Sequence, residues 1–333
     1  MSHNLMDRKT GTLTDGTVAA DAAMFSVRET PWHKLGVIVD QALTAKEALV
    51  AAGLNYEVKT GPIFTPDMRE IPTNIGQRVY RSDNDKDLGV VGARYTVIQN
   101  EDAFNILDYI IGNDDAKFET AGALGNGEVV WMNAKLQGDD ITVAGDRIDP
   151  YFLLKNTHDG SGSLKLLLTP IRVVCQNTLN MAIGNPKQKD NSRRFTIKHT
   201  RNYDERVKLA KVALGFTQTY FKEFVSTAKA LAAQKFTEKQ FSELMDQLYP
   251  LPEKAGRGLT IAERERNKMW AAFNADDLNN IRNTKWGAYN AIADYADHGR
   301  ESRGDNAEAN AFIRTFEQTL MKDKAFELLT ATK

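Results

Sequence analysis

The sequence predicts an α+β fold: an N-terminal, mainly antiparallel β-sheet with packed helices, followed by a C-terminal helical region. Two observations carry this. Between residues 55 and 169, short apolar or alternating runs are separated by polar turn sequences such as "SDNDKD" and "GNGE", the pattern of hairpins. After residue 202 the apolar spacing alternates between three and four, through Val207, Ala210, Leu214, Thr217, Phe221, Phe224, Ala228 and Leu231. That is the a/d pattern of packed helices. No internal repeat is visible, so strands first and helices last reads as α+β.

The elements follow in order. Residues 1–30 are polar and rich in Thr and Ala, and are expected to be a flexible arm. "TPWHKLG" (30–36) reads as a turn and anchor. "LTAKEALVAAGL" (43–54) is a short helix, with Thr44 as N-cap and Gly53 as stop. The runs "YEVKTGPIF", "QRVYRSDNDKDLGVVG", "RYTVIQN", "KFETAGALGNGEVVWMNAKL", "DITVAGDRIDPYFLLKN" and "GSLKLLLTP" are strand-like. One helix, "NEDAFNILDYIIG" (100–112), interrupts them. Asn100 is its expected N-cap, with two acids in the first turn where the helix dipole favours negative charge. A further helix is expected over 170–184, from Pro170 to Gly184. Past 202, helices are expected through the Val207–Leu231 stripe and at 237–249, 260–274, 277–297 and 305–331. Thr260 and Glu263 form a capping-box pattern for the third of these. Three regions result: an N-terminal arm (1–30), an α+β core (31–201) and a helical region (202–333).

Composition narrows the functional class. With 333 residues, 42% hydrophobic and 26% charged, the chain is ordinary for a globular protein. No apolar run approaches the roughly 20 residues of a membrane span, and the first residues have no apolar signal core. One cysteine cannot form an intrachain disulfide. These features make a cytoplasmic protein without membrane partners the expectation. The net charge of −1 conceals a partition. Residues 1–150 hold 14 Lys/Arg against 23 Asp/Glu, a net of −9, whereas residues 151–201 hold nine against two, a net of +7. Such asymmetry points towards an anionic partner, although dispersed lysines also make an ordinary solvated face.

Catalytic motifs are sparse. HExxH, CxxC and GxSxG are absent, and the five histidines (3, 33, 158, 199, 298) are scattered. "GALGNG" (122–127) precedes the strand-like "EVVWMNAKL" and reads as a hairpin turn, not a phosphate loop. His158-Asp159-Gly160 reads as a tight turn, because Asp and Gly favour that geometry and no third metal ligand stands at recognisable spacing. Cys175 reads as a small buried hydrophobe on the 170–184 helix. No catalytic residue, metal or other cofactor is assigned, and an enzyme is the less favoured class.

The stronger signal is the tract "GNPKQKDNSRRFTIKHTR" (184–201). Lys187, Lys189, Arg193, Arg194, Lys198 and Arg201 surround Phe195, and Lys165 and Arg172 lie shortly before them. Cations displace the counterions of a nucleic-acid backbone, and an aromatic ring stacks on the bases of a single strand. The competing reading is a solvated connector. The nine residues named here are the candidate nucleic-acid contacts.

Several ordered segments carry a resemblance. "PWHKLG", "LGVVGARYTVIQNEDAF", "FETAGALGNGEVVWMNAKL", "NTHDGSGS", "TPIRVVCQNTLNMAI", "IKHTRN" and "KWGAYNAIADYADHGR" resemble the phage/plasmid-like protein family, domain of unknown function 932. The one departure is Lys285 before Trp286, where a small residue is expected. The resemblance implies a setting on mobile genetic elements and no defined activity. It also allows a comparison of architecture with single-strand annealing proteins, which hold single-stranded DNA in a basic groove and assemble as rings or filaments. The expected function is therefore single-stranded DNA binding or annealing in recombination or replication, by a homo-oligomer. The alternatives are a metal-dependent nuclease or nucleotide hydrolase using His158 and Asp159, or a counter-defence protein that binds a host protein.

Overall fold

A computed structural model of the chain describes residues 24–27, 37–41, 43–111, 117–136, 141–172, 194–214, 217–299 and 320–331. The architecture is α+β, with antiparallel sheets in the N-terminal half and most helices in the C-terminal half. Strands β1 (Met24–Val27) and β2 (Val37–Val39) pair in parallel. Helix α1 (Ala45–Ala51) follows, capped as the sequence predicts. The Glu47 N–H donates to Thr44 Oγ1, and the Glu47 carboxylate accepts from the Thr44 N–H at 3.0 Å. Gly53, at φ 66°, ends the helix in a left-handed conformation that costs glycine little.

Strands β3 (Val58–Gly61), β4 (Ile63–Phe64), β5 (Glu70–Ile71), β6 (Gln77–Arg81) and β7 (Asp87–Val91) come next. β3, β6 and β7 form a small antiparallel sheet, and β4 pairs with β5. Helix α2 (Asn100–Ile111) precedes β8 (Lys117–Leu124), β9 (Val129–Lys135), β10 (Ile141–Val143), β11 (Asp146–Thr157), β12 (Leu164–Arg172) and β13 (Arg194–Ile197). The large sheet runs β13-β12-β11-β9-β8-β1-β2, with β10 paired to β11. The β8–β9 turn uses Gly125 and Gly127 at positive φ, confirming the hairpin reading of "GALGNG". The strand-like run "DITVAGDRIDPYFLLKN" is a pair of strands, β10 and β11. Ala144 (φ 50°) and Gly145 (φ 88°) make a two-residue turn between β10 and β11, as type I′ geometry requires.

The helices are α3 (Tyr203–Leu214), α4 (Thr217–Ala232), α5 (Glu238–Leu248), α6 (Arg257–Phe273), α7 (Lys285–Asp294) and α8 (Leu320–Thr330). A 3₁₀ turn (Asp276–Leu278) precedes α7, and a π-helical turn (Tyr295–Gly299) follows it. Among the described residues no helix is long and apolar enough to cross a membrane.

Several expectations are corrected. "RYTVIQN" joins no sheet: the carbonyls of Thr96 and Ile98 accept from the side chains of His199 and Asn156 rather than from a neighbouring strand. Pro170 does not open a helix, because β12 continues to Arg172. The rest of 170–184, including Cys175, lies outside the described residues. Helix α6 starts at Arg257, so Thr260 is an interior residue bonded back to the Gly256 carbonyl, not a cap. The helix expected over 277–297 begins only at Lys285, where Thr284 supplies the cap to Gly287 N–H. The segment 305–319 and the arm 1–23 lie outside the described residues.

Two compact units emerge from the contacts. The first takes the described residues of Met1–Gln137, Tyr151–Leu168 and Asn191–Phe216. The second takes those of Gly138–Pro150, Thr169–Asp190 and Thr217–Lys333. The Val207–Leu231 stripe is therefore two helices: Val207 and Ala210 on α3 are buried in the first unit, and Phe224, Ala228 and Leu231 on α4 in the second. The second unit's core centres on Trp286, Tyr289, Phe241, Phe273 and Met245, all at most 1% exposed. Phe241 stacks on Phe273 at 4.0 Å between ring centroids, and Trp286 meets Phe224 edge-on at 6.0 Å. In the same unit Lys322 and Asp297 form a fully buried ion pair.

Candidate functional site

Residues 194–201 are not irregular connector throughout. Among the described residues Arg194–Ile197 is the outermost strand of the large sheet, in antiparallel register with β12. Alternation explains it: Ile197 is buried and Phe195 half-buried, while Thr196 and Lys198 are exposed. Lys165 of β12 stands opposite Thr196, Phe195 opposite Leu166, and Arg194 opposite Leu167. Arg172 is the last residue of β12. Lys198 and Arg201 are exposed just past β13. The strand thus places Lys165, Arg194, Phe195, Lys198 and Arg201 along one sheet edge. Lys187, Lys189 and Arg193 lie outside the described residues.

Sequence reading missed the continuation of this edge. The next helix, α3, adds exposed Arg206 and Lys208 and half-buried Lys211. The Arg206 guanidinium lies 5.7 Å from the Phe195 ring centroid, so this ring is partly covered by a cation. Lys211 Nζ lies 4.0 Å from the centroid of Tyr109, an α2 ring that is 47% exposed. Lys198, Arg201, Arg206 and Lys208 form no ion pair with any described residue. Arg78 pairs with Asp85 and Asp87, Arg81 with Asp83, and Arg266 with Asp246, whereas exposed Lys46, Lys86, Arg94, Lys222 and Lys239 form no ion pair with a described residue either; what marks the edge is the clustering of its cations. The run of cations simply did not stop at Arg201, and that was the available signal.

A second feature lies in the first unit and is buried. His158 and Asn156 are fully buried, Asn100 is 1% and His199 6% exposed. His158 Nε2 lies 2.9 Å from Asn100 Oδ1, Asn156 Nδ2 donates to the Ile98 carbonyl at 3.0 Å, and His199 Nδ1 lies 3.2 Å from the Thr96 carbonyl. Three side chains from two distant segments therefore bond to alternate residues of the stretch 96–100. Tyr95 completes the arrangement. Its ring stacks on His199 at 4.7 Å, and its hydroxyl donates to the Thr157 carbonyl at 3.2 Å. Asn100 is not the helix cap that its position suggests, because its amide is turned inward and Nδ2 donates to the Leu54 carbonyl. The Asp102 carboxylate accepts instead from the Gln99 N–H at 3.1 Å.

Burial, reinforced by His199, pushes the His158 pKa down to about 3. Burial also lowers His199, against the opposing effects of the Thr96 carbonyl and the Asp159 carboxylate. Both rings are neutral at pH 7. The His158-Asp159-Gly160 turn is tight as expected: Gly160 has φ 79°, and Asp159 Oδ1 accepts from the Ser161 N–H and hydroxyl at 2.9 and 2.6 Å. The turn lies against β7, where a Cβ on Gly89 would stand 2.6 Å from the Asp159 Cα. Among the described residues no three His, Cys, Asp or Glu side chains group as a metal site.

No curated protein and no solved structure matches the chain. A family model described as "Domain of unknown function (DUF932)" matches residues 87–316, a span holding β7 to α7, the basic edge and the buried histidines. With most of its length covered by that match, the chain belongs to the DUF932 family.

Proposed function

We propose that the chain binds single-stranded DNA along the basic edge made by β13 and α3, as a phage- or plasmid-borne protein of recombination or replication. One observation carries this reading. Lys198, Arg201, Arg206 and Lys208 are exposed cations with no described carboxylate partner, in a chain of net charge −1. Residues 194–211 hold six Lys/Arg against two acids, Asp204 and Glu205. Nucleic-acid phosphates supply the missing anions, and release of their counterions drives the association. Tyr109, exposed beside Lys211, adds a ring on which a splayed base can stack. Preference for DNA over RNA, strand annealing, assembly as a homo-oligomeric ring or filament, and residence in the host cytoplasm belong to the same proposal and rest on the family resemblance.

Fluorescence anisotropy with labelled single- and double-stranded DNA and single-stranded RNA tests it, at about 50 and 200 mM salt. The expected result is tighter binding to the single strand that weakens steeply at the higher salt. Absence of binding at the lower salt, or equal affinity for duplex and single strand, overturns it.

A further inference from the structure

The hydrogen bonds of the buried histidines fix their tautomers. The Thr96 carbonyl can only accept, so His199 carries its proton on Nδ1 and leaves Nε2 as a bare lone pair. Asn100 spends its Nδ2 on the Leu54 carbonyl, so its Oδ1 accepts from His158. The His158 proton is then on Nε2, and Nδ1 is bare. Asn156 donates through Nδ2 to Ile98 and leaves Oδ1 free. His158 Nδ1, His199 Nε2 and Asn156 Oδ1 are all buried, and none has a hydrogen-bond partner among the described residues. Three buried acceptors without one donor among them are costly to leave unmatched.

A cation satisfies all three, and a ligating histidine characteristically donates its other ring N–H to a carbonyl or carboxylate. Both rings already do so, onto an amide oxygen and a backbone carbonyl. Asn156 stands one residue before the end of β11, His158 follows two residues on, and their side chains, with that of His199, are held by bonds to the one stretch 96–100. The Asp159 carboxylate favours positive charge on His199. We propose that His158 Nδ1, His199 Nε2 and Asn156 Oδ1 bind a divalent transition-metal ion, with Asp159 as the compensating charge. Imidazole nitrogens with one oxygen suit Zn²⁺, Co²⁺ or Ni²⁺ rather than Mg²⁺ or Ca²⁺. The third donor is an amide oxygen, so the site does not depend on a third acidic or histidine ligand. His199 lies between Lys198 and Arg201 of the basic edge, but its side chain is buried, and the metal site does not rest on the proposed DNA binding.

The test is a titration of the full chain, stripped with a chelator, with Co²⁺ followed by visible d–d absorption. One equivalent should bind, be displaced by Zn²⁺, and raise the melting temperature. His199→Gln should abolish the band while circular dichroism shows the fold retained. Asn156→Asp exchanges the amide oxygen for a carboxylate and should tighten Co²⁺ binding at least tenfold, an effect that misfolding does not produce. Replacing His3, His33 and His298 together by Gln should leave the band intact. No d–d band in the parent chain, a band that survives His199→Gln, no gain from Asn156→Asp, or loss of the band in the triple variant each overturns the site.

Discussion

Two neutral imidazoles buried under the β11 end make acid stability the sharpest quantitative consequence of the fold. His158 has its pKa lowered to about 3 by burial and by His199, against about 6.5 in an unfolded chain. The sign follows directly. Below pH 6.5 the unfolded chain takes up a proton that the folded chain refuses, so stability is full above that value and declines as pH falls towards 3. Between pH 7 and pH 5 the refused proton costs about 2 kcal/mol from His158 alone. His199, lowered in the same direction, adds to the loss. Carboxylates contribute little in this window, because their ordinary pKa values lie near 4. The assay is urea unfolding at pH 7, 6 and 5 with chelator present, for the parent and His158→Gln. Glutamine can still donate to Asn100 but does not titrate. The variant should lose about 2 kcal/mol less than the parent across the window, whatever its stability at pH 7. Parallel pH dependences would show that His158 accepts a proton without penalty, and the burial argument would fail.

Other contacts give further outcomes. Gly89→Ala places a methyl 2.6 Å from the Asp159 Cα and should destabilise the first unit by about 1–3 kcal/mol, read by chemical denaturation. No change would mean that the 158–160 turn does not rest on β7. In the second unit, Lys322→Met removes the cation paired with the buried Asp297 carboxylate and should cost about 3–5 kcal/mol. The paired change Lys322→Met with Asp297→Leu should cost clearly less than the single change, and equal costs would refute the pairing. Trp286→Ala empties the most aromatic part of that core and should cost about 3–5 kcal/mol. A melting temperature within a degree of the parent would contradict the placement of Trp286 there.

Local chemistry made much of the fold legible. Thr44 with Glu47, the glycines of "GALGNG" and the apolar spacing of α4 each act within a few residues, so the sequence shows them directly. What it hides is convergence. Asn100 looks like a cap because caps are recognised by position, yet its amide is claimed by Leu54 and His158, 46 and 58 residues away. "RYTVIQN" has strand composition but spends its carbonyls on side chains from β11 and from beyond β13. His158 and His199 are 41 positions apart in the sequence, and only the sheet topology brings both onto the 96–100 stretch. The basic tract was visible as composition. That its described end is a paired edge strand follows from the alternation of Arg194, Phe195, Thr196 and Ile197, a pattern too short to stand out beside so many charges.

The proposed nucleic-acid edge faces its most direct test in the salt dependence of affinity. Lys198, Arg201 and Lys208 are exposed and form no ion pair with a described residue, so their joint replacement by Ala should leave the fold intact. If each contacts a phosphate, the slope of log affinity for single-stranded DNA against log salt should become shallower by about 0.7 per contact, roughly 2 for the three. Affinity at low salt should fall with it. A triple variant that binds single-stranded DNA as tightly as the parent, with an unchanged slope, would contradict the assignment of this edge.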